Sequence, residues 1–169
     1  MKKIKLTFLI PAYNEEKVLE YGTKIYVDYL EKLEQQNKDF DYEAILCLNG
    51  CTDNTEKIAK KICKNNKKIS YVVTDKGFGK GLNAGILKAD GDIITFGNAD
   101  AELLPDFLDE GIELMADRDF VLGSRYLSKK INYKPSFMRQ SYSKVLMLIF
   151  RILFLNSFSE VGVIKMFKS

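Results

Sequence analysis

The sequence predicts an α/β fold in one domain, with a mainly parallel sheet flanked by helices. Five short apolar runs have the length of strands, and stretches with helical spacing lie between them. A chain of 169 residues with 46% hydrophobic residues can bury one sizeable core. Because strands that alternate with helices form right-handed βαβ crossovers, neighbouring strands are expected to run parallel.

The five predicted strands are apolar runs that end at polar or glycine-rich segments. They cover Lys5–Ile10, Tyr42–Leu48, Ile69–Thr74, Asp92–Phe96 and Phe120–Leu122. Helical spacing predicts helices over Glu15–Gln35, from Asp53 onward, over Lys80–Ala89 and over Pro105–Met115. The second helix is expected to use the Asp53 carboxylate as its cap, with Glu56 three positions later as in a capping box.

The carboxyl-terminal part of the chain differs from the rest in charge. Residues 1–119 contain 17 Lys/Arg against 22 Asp/Glu, whereas residues 120–169 contain nine against one. A basic segment favours an anionic partner such as a lipid phosphate or a membrane surface, although a solvated lysine-rich face has the same composition. Val145–Leu155 is nearly all apolar and too short to span a bilayer, which is typical of a core helix or an interfacial helix. Nucleic acid is not expected as a partner, because no recognition motif accompanies the charge.

Cysteine usage and the amino terminus predict an intracellular protein. Cys47, Cys51 and Cys63 form neither a C-x-x-C pair nor an even disulfide framework, and the chain has no histidine to complete a zinc site. The first apolar run is strand-length and ends at Pro11, unlike a signal peptide. We therefore expect reduced cysteines and a cytoplasmic location, with the basic segment allowing peripheral contact with the cytoplasmic face of a membrane.

Polar and glycine-rich loops follow the first four predicted strands, and parallel strands bring such loops to one edge of a sheet. Asn98 and Asp100 stand two positions apart at the end of the fourth strand, so in an extended segment both side chains face the same way, and Glu102 continues the alternation. Their oxygens suit Mg²⁺ or Mn²⁺, which would bridge the pyrophosphate of a nucleotide-sugar.

The loop 76–81 offers backbone amides and two ammonium groups to a diphosphate. A solvated acidic turn and a flexible surface loop are the simpler interpretations of these two segments taken singly.

Taken in order, five motifs resemble the inverting family 2 glycosyltransferases, in particular those that transfer sugars to polyprenyl phosphates. The motifs are residues 10–16, 49–55, 79–85, 98–100 and 123–126, so the resemblance covers roughly residues 4–126. It implies the GT-A fold, which is Rossmann-like, with a nucleotide-sugar-binding core over 1–126. The remaining residues, 127–169, would be a basic segment of the same domain, with an apolar or amphipathic helix that faces the acceptor or a membrane.

The resemblance also implies roles for individual residues. Pro11, Tyr13 and Glu15 would line the nucleoside pocket, with Asn49 near the base or ribose and Lys80 near the diphosphate. For Tyr13 alone, ordinary core packing explains the residue equally well.

Further along the chain, Asn98, Asp100 and Glu102 occupy the positions of the metal-binding D-x-D and the ligand that follows it. Arg125 and Arg139 match basic positions that would face the donor diphosphate or the acceptor phosphate, and solvated surface is the simpler interpretation of both. Asp100 and Arg125 are the implied catalytic residues.

Two departures from the family pattern bear on the chemistry. Leu48 and Asn49 stand where the family has two aspartates, so a carboxylate that reads the nucleobase is missing and both uridine and guanosine remain open. Asn98 replaces the first aspartate of D-x-D, which lowers the negative charge offered to the cation.

The function predicted from the sequence is metal-assisted inverting transfer of a sugar from a nucleoside-diphosphate-sugar to an acceptor. A polyprenyl phosphate is favoured as acceptor because it is already ionised and needs no base. A sugar hydroxyl would need one, and Glu160 is the only acidic residue after Asp119. The alternatives are a nucleotidyltransferase and a non-catalytic module that binds nucleotide-sugars.

Overall fold

The computed structural model of the chain describes residues 3–101, 107–123, 141–142, 145–146, 148–149 and 164–169. The chain forms two compact units, one of residues 1–121 with 166–169 and the other of residues 122–165. The strands are β1 Ile4–Ala12, β2 Phe40–Asn49, β3 Ile69–Thr74, β4 Ile93–Phe96, β5 Phe120–Gly123 and β6 Ile164–Lys168. The helices are α1 Leu19–Gln36, α2 Thr55–Asn65, α3 Phe78–Lys88 and α4 Phe107–Leu114.

The described strands form one six-stranded sheet in the order β3-β2-β1-β4-β6-β5. β1 pairs in parallel with both β2 and β4, and β2 pairs in parallel with β3. The predicted mainly parallel α/β fold is therefore confirmed, and so are its five strands. The prediction missed β6, which pairs antiparallel with β4.

Two hydrophobic cores lie on opposite faces of the sheet, as expected when parallel strands are covered on both sides. Alternate residues of β1 show the division, because Phe8 belongs to one core and Leu9 to the other. The Phe8 face also contains side chains from α1, α2 and α4, among them Leu30, Ala59 and Leu108. The Leu9 face packs against Leu82 and other residues of α3. The molecule therefore has helix, sheet and helix layers around β1.

The helix starts differ from those predicted. α1 starts at Leu19 instead of Glu15, and α3 starts at Phe78 instead of Lys80. The Asp53 carboxylate accepts a hydrogen bond from the Thr55 backbone amide at 2.9 Å, so the predicted capping of the free amides of α2 by Asp53 is confirmed, although Asn54 is the residue before the helix. The predicted capping-box role of Glu56 is wrong, because Glu56 forms an i,i+4 ion pair with Lys60 at 2.7 Å. The part of the fourth predicted helix that precedes Phe107, and most of the apolar run 145–155, lie outside the described residues.

The three cysteines are free, as predicted. Among the described segments, no helix has both the length and the apolar character needed to cross a membrane.

Lys68 anchors the start of β3 to the neighbouring elements. Its ammonium contacts Glu34 at 2.6 Å and Asp41 at 2.8 Å, and it lies 4.5 Å from the centre of the Tyr42 ring. The hydrogen bond from Lys68 lowers the pKa of Asp41 to about 2. A depressed carboxyl pKa means that the charged form of Asp41 stabilises the folded state.

We expect this contribution to depend on pH in a defined window. The quantity to compare is the free energy of unfolding of wild type minus that of Asp41→Asn. This difference should be constant above about pH 5 and should shrink as the pH falls from about 4 to about 2, because this range lies between the pKa of Asp41 in the unfolded state and its pKa in the folded state. Urea denaturation at several pH values measures this difference. Asp28→Asn is the control, because its pair with Lys24 is exposed and worth about 0.5 kcal/mol or less. A difference that stays constant from pH 6 to pH 2 would contradict the assignment.

Candidate active site

The candidate site lies where the strand order reverses. β2 and β4 flank β1, and the chain reaches β2 through α1 but reaches β4 only after α2, β3 and α3. In parallel α/β sheets, the crevice beyond the carboxyl ends of strands at such a reversal is where ligands bind. A pocket of about 460 Å³ lies at this place. Its lining residues come from the carboxyl ends of β1 and β2, from the loops after β1, β3 and β4, and from the first residue of α3. They are Pro11, Tyr13, Glu15, Asn49, Lys76, Gly77, Phe78, Asn98, Ala99 and Asp100.

Six of the residues singled out in the sequence lie around this one pocket. They are Pro11, Tyr13, Glu15, Asn49, Asn98 and Asp100. Lys80 is not among the described lining residues, and its ammonium lies 3.9 Å from the Asp75 carboxylate. Four other candidates lie outside the described residues, namely Glu102, Arg125, Arg139 and Glu160.

Lys76 and Phe78 also line the pocket, although sequence analysis did not select them individually. The signal that could have found them is their place in the glycine-rich segment after β3, where Lys76 is two residues beyond the end of the strand and Phe78 begins α3. The Lys76 ammonium lies 4.7 Å from the centre of the Tyr13 ring, and Phe78 is 57% exposed. One wall of the pocket therefore combines two aromatic side chains with a cation.

Side-chain hydrogen bonds join the loop after β1 to the loop after β2. Asn14, with a φ of 55°, accepts a hydrogen bond from the Thr52 backbone amide at 2.8 Å. The Glu16 carboxylate accepts from the Asn54 backbone amide at 3.0 Å and from its side-chain amide at 2.9 Å. The Glu15 backbone amide donates to the Thr55 hydroxyl at 2.8 Å. These contacts hold Glu15 at the pocket by bonding the residues on either side of it.

Asn49 is buried at the end of β2, and its side-chain amide donates to the carbonyl oxygen of Ala12 at 2.9 Å. This bond ties the ends of β1 and β2 together beneath the pocket. The Lys76 backbone lies against Gly50, since a Cβ on Gly50 would come within 2.6 Å of it. The loops after β2 and β3 are therefore in direct contact as well.

Asn98, Ala99, Asp100 and Ala101 form a turn, whereas the sequence predicted an extended segment. The Ala101 amide donates to the Asn98 carbonyl at 3.1 Å, and Ala101 has a φ of 51°, which is uncommon for alanine. Asn98 and Asp100 are both exposed at the pocket while Ala99 is buried between them. The predicted extended segment is therefore wrong, because a turn and not a strand brings Asn98 and Asp100 to the pocket.

The turn rests directly on α1. A Cβ on Gly22 would lie 1.9 Å from the carbonyl oxygen of Ala99 and 3.3 Å from the amide nitrogen of Ala101. No side chain larger than hydrogen fits between the helix and the turn. The absence of a side chain at Gly22 therefore determines how closely the turn that contains Asn98 and Asp100 packs on α1.

On the acidic side of the pocket, the pKa of one carboxyl group is raised. Burial raises the pKa of the Glu15 carboxyl, and the charges of Asp100 and Asp53 raise it further. Carboxylates that repel one another in this way produce a negative potential, which a bound cation relieves.

The residues present fit a divalent cation that arrives with a diphosphate. Within the described part of the chain no three His, Cys, Asp or Glu side chains are arranged to hold a metal ion by themselves. Mg²⁺ and similar ions, however, are commonly held by one or two carboxylates together with substrate phosphates and water. Asp100 supplies a carboxylate and Asn98 an amide oxygen at the same edge of the pocket.

The fold and this site define a glycosyltransferase of the GT-A type. The chain belongs to the family Glycosyl transferase family 2, whose model matches residues 7–168. The family predicted from the five sequence motifs is therefore confirmed.

Known proteins similar to this chain include enzymes that act on lipid phosphates. The human dolichyl-phosphate beta-glucosyltransferase is 28% identical over 151 residues, which are 85% of this chain and 47% of the human protein. The undecaprenyl-phosphate 4-deoxy-4-formamido-L-arabinose transferase of Proteus mirabilis is 26% identical over 145 residues, which are 84% of this chain and 42% of that protein. The chain thus spans less than half the length of these relatives.

A solved structure shares the fold. It is the mannosyltransferase PcManGT from Pyrobaculum calidifontis, in complex with GDP-Man and Mn²⁺. It is 20% identical to this chain, with a TM-score of 0.56, over 75% of this chain and 38% of the mannosyltransferase.

The contact of Gly22 with the turn yields a stability prediction. Gly22→Ala should lower the free energy of unfolding by about 1–3 kcal/mol, because the new methyl group meets a backbone carbonyl that cannot move independently. Urea denaturation of the full chain measures the change.

Gly79→Ala, on the exposed first turn of α3, is the matched control for this prediction. A Cβ at position 79 meets nothing within 4 Å, so this variant should gain up to about 1 kcal/mol from helix propensity. If Gly22→Ala is as stable as Gly79→Ala, the turn does not rest on α1 as described.

Proposed function

We propose that this chain transfers a sugar from a nucleoside-diphosphate-sugar to a polyprenyl phosphate, with inversion at the anomeric carbon and with the help of Mg²⁺ or Mn²⁺. The observation that carries the proposal is a pocket at the carboxyl ends of β1, β2 and β4 that has an aromatic and cationic wall and an acidic edge. A nucleoside diphosphate has the complementary parts, namely a flat base and a charged diphosphate. Membership of Glycosyl transferase family 2 supports the reaction class.

The donor's nucleoside is assigned to the side of the pocket formed by Pro11, Tyr13 and Asn49. Tyr13 is 38% exposed, so its ring offers a face to a planar base. The Asn49 side-chain amide is engaged with the Ala12 carbonyl, which leaves its oxygen as the group able to accept from a base or ribose. Lys76, which covers the Tyr13 ring at 4.7 Å, would compensate the charge of the diphosphate.

The leaving group is assigned to the edge formed by Asn98 and Asp100. A divalent cation, when bound there, would neutralise the charge that develops on the departing nucleoside diphosphate. Asp100 would hold the cation by charge and Asn98 by its amide oxygen, which is the weaker ligand of the two. The Pyrobaculum mannosyltransferase, which shares the fold, was solved in complex with GDP-Man and Mn²⁺.

The acceptor assignment is supported by charge and by the relatives. A phosphate acceptor is already ionised, so the chain needs no general base to activate it. Residues 120–169 carry nine Lys/Arg and one acidic residue, which suits an anionic acceptor. The human relative and the Proteus relative are named for transfer to dolichyl phosphate and undecaprenyl phosphate.

The described part of residues 122–165 supports a lipid acceptor further. All five large apolar side chains described between 142 and 149 are at least 46% exposed, and they are Tyr142, Val145, Leu146, Leu148 and Ile149. Exposed apolar residues in a basic segment are typical of contact with a lipid surface. We therefore include peripheral membrane contact in the proposal.

Asp100→Asn tests the cation assignment, because it keeps the shape of the side chain and removes its charge. The affinity of UDP or GDP in the presence of Mn²⁺ should fall about tenfold, and kcat/KM for transfer about a hundredfold, as loss of charge stabilisation at a leaving group predicts. Calorimetry with and without Mn²⁺ and a transfer assay measure the two effects.

Asp117→Asn, in the exposed turn after α4, is the control for Asp100→Asn and should change neither quantity. Binding of UDP and GDP that is the same with and without Mn²⁺, and without turnover, would favour the non-catalytic module instead.

The acceptor is tested by offering two acceptors to the same enzyme. With labelled UDP-sugars and GDP-sugars and Mn²⁺, label should pass to polyprenyl phosphate in phospholipid vesicles and not to soluble saccharides. The lipid product is extracted into organic solvent and counted. Transfer to a soluble saccharide alone would contradict the assignment and would make Glu160 the candidate base.

A further inference from the structure

Tyr26, in the middle of α1, is a buried residue that none of the roles assigned above includes. Its side chain is completely buried, and its ring packs on Phe8 of β1 with ring centres 4.5 Å apart. A phenylalanine would provide that packing equally well. A buried hydroxyl costs free energy unless it is hydrogen-bonded, so the oxygen of Tyr26 needs an explanation of its own.

The hydroxyl end of Tyr26 lies against the start of the Asn98–Ala101 turn. A Cβ on Gly97 would lie 2.7 Å from the Tyr26 hydroxyl oxygen, so Gly97 and the hydroxyl are in direct contact. The backbone amide of Asn98 donates a hydrogen bond to the same oxygen. The amide of the first polar residue of the turn is thereby bound to a group on α1.

Gly22 and Tyr26 are four positions apart, so they lie on the same face of α1, one turn after the other. Gly22 contacts the Ala99 carbonyl while Tyr26 contacts Gly97 and the Asn98 amide. The helix thus touches both ends of the segment that presents Asn98 and Asp100. The first contact limits how closely the turn approaches the helix, and the second places the Tyr26 hydroxyl against the backbone at the start of the turn.

Burial raises the pKa of Tyr26, and the charge of Asp100 raises it further, so the phenol keeps its proton at neutral pH.

From these contacts we infer that Tyr26 is a positioning residue, whose hydroxyl holds the Asn98–Asp100 turn in the orientation that binds the cation and the diphosphate. The inference rests on the proposed function only for the identity of the ligands that the turn binds. The contact between Tyr26 and the turn is present in the protein without any ligand. Groups that orient metal ligands commonly change metal affinity by about 10- to 100-fold when they are removed.

Tyr26→Phe tests the inference, because it removes the oxygen and keeps the ring that packs on Phe8. Mn²⁺ affinity in the presence of UDP or GDP, measured by calorimetry on the full chain, should weaken about tenfold. Affinity for the nucleotide without metal should change by less than about twofold. Hydrogen–deuterium exchange of the segment 97–101, measured without ligand, should become faster, whereas exchange in β1 and β2 should stay as in wild type.

Tyr29→Phe is the matched control on the same helix. The Tyr29 hydroxyl donates to the Asp109 carboxylate at 2.6 Å, in the direction of α4, so the same chemical change is made away from the turn. This variant should leave Mn²⁺ affinity and exchange at 97–101 unchanged.

The outcomes separate the inference from the proposed function. If wild type binds Mn²⁺ with nucleotide and Tyr26→Phe matches it in affinity and exchange, the inference alone is overturned. Equal weakening by Tyr26→Phe and Tyr29→Phe also overturns it, because it would indicate a general structural effect. If wild type binds neither nucleotide with Mn²⁺, the proposed function and the positioning role fail together.

Discussion

The parallel pairing of β1 with β2 on one side and β4 on the other determines where all the chemistry of this chain can lie. β1 is in register with β2 over nine residues and with β4 over four, and most of its side chains are completely buried. Because the three strands run in the same direction, their carboxyl ends reach the same edge of the sheet. The loops that follow them are then close neighbours, although they are up to about 90 residues apart in sequence.

Neighbouring loops still need to be held in one arrangement, and weak contacts do this collectively. The hydrogen bonds that Thr52 donates to Asn14 and Asn54 donates to Glu16 are largely exposed, so each contributes about 1 kcal/mol or less. The Asn98–Ala101 turn is held differently, by steric contact with Gly22 and by the buried hydroxyl of Tyr26. The side of the pocket proposed for the nucleoside is therefore expected to be more adaptable than the edge proposed for the cation, where small displacements would change coordination geometry most.

The sequence predicted those features that depend on local pattern. Ile69–Thr74 was predicted with its observed limits because a run rich in β-branched and aromatic residues has a charged residue on each side. β6 was missed because its residues include Lys165 and Lys168, and its pairing partner β4 lies about 70 residues earlier. No local pattern shows such a pairing.

The candidate site was predictable to a similar degree. Asn98 and Asp100 could be selected because their residue types and spacing carry chemical meaning. Tyr26 could not be distinguished from the other apolar positions of α1, since its role depends on what a distant turn places beside its oxygen. Lys76 belongs to a loop that was recognised, but the contact of its ammonium with Tyr13 is a tertiary contact that spacing does not reveal.

The most direct test of this account is a crystal of the chain soaked with UDP or GDP and Mn²⁺, examined by anomalous scattering at the manganese edge. The account predicts a manganese peak within about 2.0–2.4 Å of an Asp100 oxygen, bridged to the diphosphate, with the base against Tyr13. A nucleotide bound elsewhere, or a manganese peak away from Asp100 with the pocket nucleotide in place, would contradict it.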